Sequence, residues 1–187
     1  FTIISVIGKN IYKGLETILH SAQLLNQINF KFEWNIIGVD EDDLSYRLSL
    51  KKIGLNLTEN NINILGRLDA DEIINRMLSS KLYISVSHIE NSPNNICEAM
   101  ILGMPIIASF SGGTASILKH KKEGLLVQDG DPWTLSGYIF DIYVNYNKAL
   151  EMGKNAREKA LKRHSINDVS DEYIKIYKQI LKEKNQS

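Results

Sequence analysis

The sequence predicts a doubly wound α/β domain, with a parallel sheet of about six strands, helices on both faces and a helical tail. Three observations predict it. Short apolar runs alternate with amphipathic stretches along most of the chain, as successive strand and helix units require. From Pro132 the pattern becomes helical only. The composition, 187 residues with 43% hydrophobic and 24% charged, 12 Gly and 3 Pro, is that of one globular domain. A chain of this size buries a sizeable core without a disulfide or a structural metal.

The elements follow in order. Thr2 to Ile7 is apolar and β-branched and forms the first strand; Leu15 to Ile28 then repeats apolar residues at three and four, as a helix does. Strands are predicted at Glu33 to Val39, Ile62 to Leu65, Leu82 to Ser87, Pro105 to Ser109 and Gly124 to Val127. Helices fall between them at Leu44 to Ile53, Asp71 to Ser80, Ile96 to Leu102 and Thr114 to Lys119. Three helices follow: Trp133 to Asn147, Leu150 to Arg163 and Asp168 to Lys184. The first opens at Asp131-Pro132, with Asp as cap and Pro at the first helical position. No repeat or linker divides the chain, so residues 1–187 read as one domain with a helix over 168–187. Trp34 and Trp133 read as core, and the cluster of Lys154, Arg157, Lys159, Lys162 and Arg163 as a solvated helix face.

Charge and cysteine content exclude several functions. Twenty-two Lys and Arg balance twenty-two Asp and Glu, so no bulk attraction to nucleic acid or anionic membrane exists and any anion site must be local. Cys97 is the single cysteine; alone it makes neither an internal bridge nor a zinc site, and it suits a reducing cytosol. No run of 18 apolar residues occurs, and the start FTIISVIGKN lacks the charged segment and apolar core of a signal peptide. The chain enters a strand at once from Phe1, which predicts a piece of a longer protein, and the lack of a signal peptide with the lone thiol predicts the cytoplasm.

In an open parallel sheet ligands bind beyond the carboxyl ends of the strands, where strand order reverses. The loop after strand one, Gly8-Lys9-Asn10-Ile11-Tyr12-Lys13-Gly14, sets two lysines just before a helix, whose free N–H groups and partial positive charge suit a phosphate. It matches neither the dinucleotide fingerprint nor a P-loop, and surface solvation also explains the lysines. The loop after strand four, His88 to Met100, places Glu90 and Glu98 across a turn into a helix. An ionised carboxylate takes two hydroxyls at once, which suits a ribose or hexose diol. Asn95 as helix cap with Glu98 three residues later is the alternative, a capping box, and Glu90 reads equally as a solvated loop residue. A third loop, Ser111-Gly112-Gly113-Thr114, lets backbone approach a ligand closely or simply turns tightly into a helix. Together the three loops offer phosphate donors and diol acceptors, as a nucleotide-sugar requires.

The segments ISVIGKNIYKGLETIL, WNIIGVD, INILGRL, SVSHIENSPNNICEAMILGMPIIASFSGGTASIL, EGLLVQDGDPWTL and NAREKALKRHSINDVSDEYIKIYKQIL resemble, nearly end to end, the donor-binding half of retaining glycosyltransferases of family 4 (glycosyl transferases group 1). The most specific feature is the pair of glutamates separated by seven residues, then Ala-Met, a Gly-x-Pro turn and a Gly-Gly loop. The resemblance implies a Rossmann-like domain that is one half of a GT-B fold, its N-terminal acceptor domain lying outside this chain. It implies that Glu98 accepts the ribose hydroxyls and Glu90 those of the donor sugar, that Lys13 neutralises the diphosphate, and that Arg67 lies by the base. Gly8, Lys9, the stretch Asn91, Ser92, Pro93 and Asn94, and the turn Gly112, Gly113 and Thr114 would complete the donor site. Glu90 and Lys13 would serve transfer from a UDP-, GDP- or ADP-sugar to a glycan, lipid or other acceptor, with no metal and no further cofactor. Peripheral association of the full-length protein with the inner face of a membrane is open to such an enzyme. The last helix resembles the family's helix that returns to the N-terminal domain.

Three departures point to a subfamily with its own donor-sugar pocket. Lys9 stands where the family has arginine, only four residues before Lys13; Asn91-Ser92 replaces a Gly-aromatic pair; Ser116 replaces a glutamate after Gly-Gly. A non-catalytic nucleotide-sugar binding module is the alternative function. An NAD-type oxidoreductase fits Asp40 at the end of strand two but lacks the glycine fingerprint, and a glycosidase fits the paired carboxylates but lacks an acceptor cleft. His88 is placed to act as a base, yet a retaining mechanism requires none from this domain.

Overall fold

The computed structural model describes residues 1–54 and 61–184, so the last three residues of the helix read at 168–187 lie outside it. Six strands form the sheet: β1 (Thr2–Val6), β2 (Glu33–Ile37), β3 (Ile62–Ile64), β4 (Leu82–Ser85), β5 (Ile106–Ser109) and β6 (Leu125–Val127). All pair in parallel, in the order β3-β2-β1-β4-β5-β6. This is the doubly wound order, and it reverses between β1 and β4. The helices are α1 (Leu15–Gln27), α2 (Leu44–Ile53), α3 (Ala70–Ser79), α4 (Asn94–Leu102), α5 (Thr114–Ile117), α6 (Pro132–Val144), α7 (Tyr146–Arg163) and α8 (Ile166–Lys184).

Every strand but the edge strand β3 is buried on both faces, so side chains alternate between two cores. Ile3, Trp34, Ile36, Leu82, Ile84 and Ile107 pack with residues of α1, α2 and α6. Ile4, Ile37, Tyr83, Ile106 and Ala108 pack with α3, α4 and α5 on the other side. Helix α7 crosses the edge: Ala149 and Met152 join the first core, Ala156 and Ala160 the second. It passes close to the end of α4 at Gly153, where a Cβ would stand 2.4 Å from the Gly103 carbonyl oxygen. Trp34 is fully buried, as expected, and its indole N–H donates to Ser5 Oγ at 3.0 Å. Ser5 in turn donates to the Ile84 carbonyl at 2.7 Å, so one hydrogen-bond chain joins β2, β1 and β4.

Trp133 corrects the sequence expectation, because it is 64% exposed. The inward stripe of α6 is Leu135, Ile139 and Ile142, and a residue two positions before Leu135 points roughly to the opposite side of the helix. Trp133 instead lies on α1, its ring edge-on to His20 at 4.9 Å. The expected cap at Asp131 is present, its carboxylate accepting from the amides of Trp133 and Thr134 at 3.1 and 3.0 Å. The break between α6 and α7 falls at Asn145 alone, whose backbone (φ −111, ψ 43) leaves the helical range while both flanking residues stay helical. A short 3₁₀ turn, Ile11–Lys13, precedes α1. Helix α8 has no buried residue. No described helix is long and apolar enough to cross a membrane.

Gly14 joins that turn to α1 at φ +76, and a Cβ there would lie 1.9 Å from the Val86 carbonyl oxygen. Gly54 has a similar φ of +71 but open space around it. Gly54→Ala should therefore cost only the left-handed strain, about 1 to 2 kcal/mol, and Gly14→Ala clearly more, because backbone must move as well. Urea unfolding of both variants measures the difference.

Candidate functional site

The site is built where the first and fourth strands end, because there the strand order reverses and two loops part. The β1–α1 and β4–α4 loops do not part freely. Gly14 rests on the Val86 backbone, and the His88 amide donates to the Tyr12 carbonyl at 2.8 Å. This contact brings Lys13 to Glu90: Nζ to Oε2 is 2.9 Å, with the side chains 22% and 13% exposed. Tyr12 flanks the pair, its ring centre 5.6 Å from the Lys13 ammonium.

The β5–α5 turn closes the third side. A Cβ on Gly112, whose φ is +47, would lie 1.6 Å from the Glu90 carbonyl oxygen, and one on Gly113 would lie 1.9 Å from that of Asn91. Gly113 N–H donates to Glu90 C=O at 3.1 Å. The two glycines are thus required by contact with the loop bearing Glu90, and Thr114 is buried behind them. Ser109 Oγ donates to the Ser87 carbonyl at 2.6 Å and pairs with Ser111 Oγ at 2.9 Å, which fixes β5 beneath the same loop.

Helix α4 opens with Pro93 as N-cap and no side-chain cap. The alternative reading, an Asn95–Glu98 capping box, does not hold, since the helix begins one residue before Asn95. Asn95 instead donates from Nδ2 to the Val6 carbonyl at 2.9 Å, tying the helix start to the end of β1, while its Oδ1 accepts from the Ile96 amide. Glu98 is exposed. The phenol of fully buried Tyr83 is pushed far up by burial first and then by the charges of Glu98 and Glu90. Asn91, Ser92 and Asn94 are exposed around the Glu90 loop, and Pro93 is buried.

Lys9 and Arg67 fall elsewhere. Lys9 Nζ lies 3.0 Å from Asp40 Oδ2 and 2.8 Å from Asp43 Oδ1, on the β2 side of the switch point. Asp43 is held below the usual carboxylate range by the Asp40 amide and then by Lys9, with a smaller contribution from the charge of Arg67. Gly8, at the start of the same loop, has no atom within 4 Å of where a Cβ would stand. Among the described residues Asp40, Asp42 and Asp43 bring carboxylate oxygens within 4.8 Å of one another, a possible cation cluster. Lys9 already sits on two of these three and offsets their charge.

Residues 1–159 match the family model of glycosyl transferases group 1. The chain belongs to this family. An uncharacterised glycosyltransferase of Methanocaldococcus jannaschii is 25% identical over 172 residues, covering 91% of this chain and 43% of that protein. The amylovoran biosynthesis glycosyltransferase AmsK of Erwinia amylovora is 24% identical over 143 residues, 73% of this chain and 34% of its own length. The chain thus spans less than half of these relatives. Among solved structures, Anabaena HepE in complex with UDP-glucose superposes with a TM-score of 0.75 at 21% identity, covering 95% of this chain and 48% of that one. Sucrose-phosphate synthase from Thermosynechococcus elongatus gives 0.76 at 24% identity, covering 96% and 45%. The fold shared with these neighbours is that of GT-B glycosyltransferases.

The sequence did not single out Asn95 as a bridge, nor Glu16 and Asp129, which lie against the His88 imidazole. Asn95 follows Pro93 and Asn94 immediately before an apolar helix, a signal that reads as a cap and turns out to serve the neighbouring strand. Because Glu98 caps nothing, Glu98→Gln should shift unfolding free energy by less than about 0.5 kcal/mol. Asn95→Ala, which breaks the tie to Val6, should cost about 1 to 2 kcal/mol. Chemical denaturation of both variants checks the contrast.

Proposed function

We propose that this chain is the donor-binding half of a nucleotide-sugar-dependent glycosyltransferase that transfers its sugar with retention. The single observation that carries the reading is the Lys13–Glu90 pair at the switch point, with Glu98 one turn into the helix that follows. A nucleotide-sugar offers what each group lacks when they are paired. Its diphosphate takes the Lys13 ammonium and the uncapped N–H groups of α4, and its sugar hydroxyls take Glu90. Glu98 then receives the ribose diol and Arg67 lies by the base. The backbone of residues 91–94 and of Gly112 to Thr114 lines the sugar and phosphates, and Gly8 leaves space at the loop start. Lys9 serves this site only after leaving Asp40 and Asp43.

Departure of the nucleoside diphosphate leaves negative charge where Lys13 and the α4 dipole already point, so the site needs no metal to stabilise it. The acceptor domain lies in the remaining part of the protein. UDP and UDP-glucose in HepE support a nucleotide-sugar as donor.

A nucleoside diphosphate from the set UDP, GDP and ADP should therefore raise the melting temperature without divalent metal, adding about 2.7 kcal/mol at roughly a hundred times its Kd. Flat melting curves across all three would refute the site. Lys13→Ala should weaken the diphosphate far more than the nucleoside, with the loss shrinking in high salt. Glu98→Gln should erase most of the preference for ribo- over dideoxyribonucleotides, whereas Glu90→Gln should spare the free diphosphate and weaken the nucleotide-sugar. Calorimetric titration separates these outcomes.

A further inference from the structure

His88 lies two residues before Glu90, and three separate ties converge on it. Its amide donates to the Tyr12 carbonyl at 2.8 Å, its Nε2 is 2.5 Å from Glu16 Oε1 in the first turn of α1, and its Nδ1 meets Asp129 Oδ1 in the β6–α6 loop. Carboxylates only accept, and a neutral imidazole has one N–H. Both ring contacts are therefore hydrogen bonds only when the ring is protonated. Glu16 follows Lys13 by three residues, so the clamp joins the segment bearing one member of the Lys13–Glu90 pair to the loop bearing the other.

We propose that protonated His88 is a positioning residue of the donor site: by bridging Glu16 and Asp129 it holds the Glu90 loop against the start of α1 and sets the spacing of Lys13 and Glu90. The proposal rests on the nucleotide-sugar reading above and adds a residue that touches neither sugar nor phosphate. The charged groups around the ring are Glu16 from α1 and Asp129 from the β6–α6 loop, and the groove it lines also holds His20 of α1 and Lys52 of α2. Burial opposes the charge on His88, but the two carboxylates outweigh it and hold its pKa above the ordinary 6.5. The clamp is therefore fully charged below that value and is lost as pH rises through the raised pKa.

The test is binding of UDP-, GDP- and ADP-glucose by the intact protein, since the diphosphate of a nucleotide-sugar does not itself titrate in this range. The member that binds should bind about tenfold more weakly at about pH 9 than at about pH 6. His88→Gln should give the weak affinity at both values, and His88→Arg, charged throughout, the tight affinity at both. His20→Gln should keep the wild-type pH dependence. Asp129→Asn, on an exposed loop, should move the midpoint to lower pH. A wild-type pH profile in His88→Gln, or an unmoved midpoint in Asp129→Asn, overturns the clamp while leaving the donor site standing. Absence of binding by all three nucleotide-sugars at both pH values overturns the donor reading and the clamp with it.

Discussion

The carboxyl edge of this sheet depends on how closely three loops approach one another. Where strand order reverses between β1 and β4, neighbouring loops diverge by default, and the opening is the usual crevice of the fold. Here the crevice is narrowed by backbone contact. Gly14 lies on Val86, and Gly112 and Gly113 lie on Glu90 and Asn91, at distances no side chain permits. The Lys13–Glu90 pair and the His88–Tyr12 backbone hydrogen bond each span two of these loops, and Asn95 adds a tie from the start of α4 to the end of β1.

Electrostatics gives the narrowed crevice its chemistry. A half-buried ion pair gains little net stability, since desolvation offsets most of the attraction. Lys13 and Glu90 are thus cheap to separate by a ligand that offers each a better partner. The second charged cluster, Lys9 with Asp40 and Asp43, is more exposed and sits over the other half of the sheet. The two clusters divide the lysines of one loop between two sets of carboxylates, which their spacing of four residues across a 3₁₀ turn allows.

Much of this was legible in the sequence, for reasons that also explain what was not. Among the described residues the six strands and eight α-helices follow from apolar runs and three-four periodicity, since a parallel sheet buried on both faces leaves an alternation of short strands and amphipathic helices. The Asp131-Pro132 start was readable because capping is local. Trp133 was misread because size and hydrophobicity predict burial while helix phase decides it, and its phase faces out. The Asn95 tie was not legible, and the local pattern offered a cap as one alternative, because its partner, Val6, is 89 residues away. The pairing of Lys13 with Glu90 is likewise long-range, yet its place on the sheet edge was deducible from topology alone.

As a donor site, the Lys13–Glu90 pair is a closed form that opens to take a nucleotide-sugar. A crystal structure of the protein with its bound nucleoside diphosphate tests it most directly. Lys13 Nζ should then have moved off Glu90 onto the diphosphate, with the ribose hydroxyls on Glu98. A ligand bound elsewhere, with the Lys13–Glu90 contact still at 2.9 Å, would contradict it.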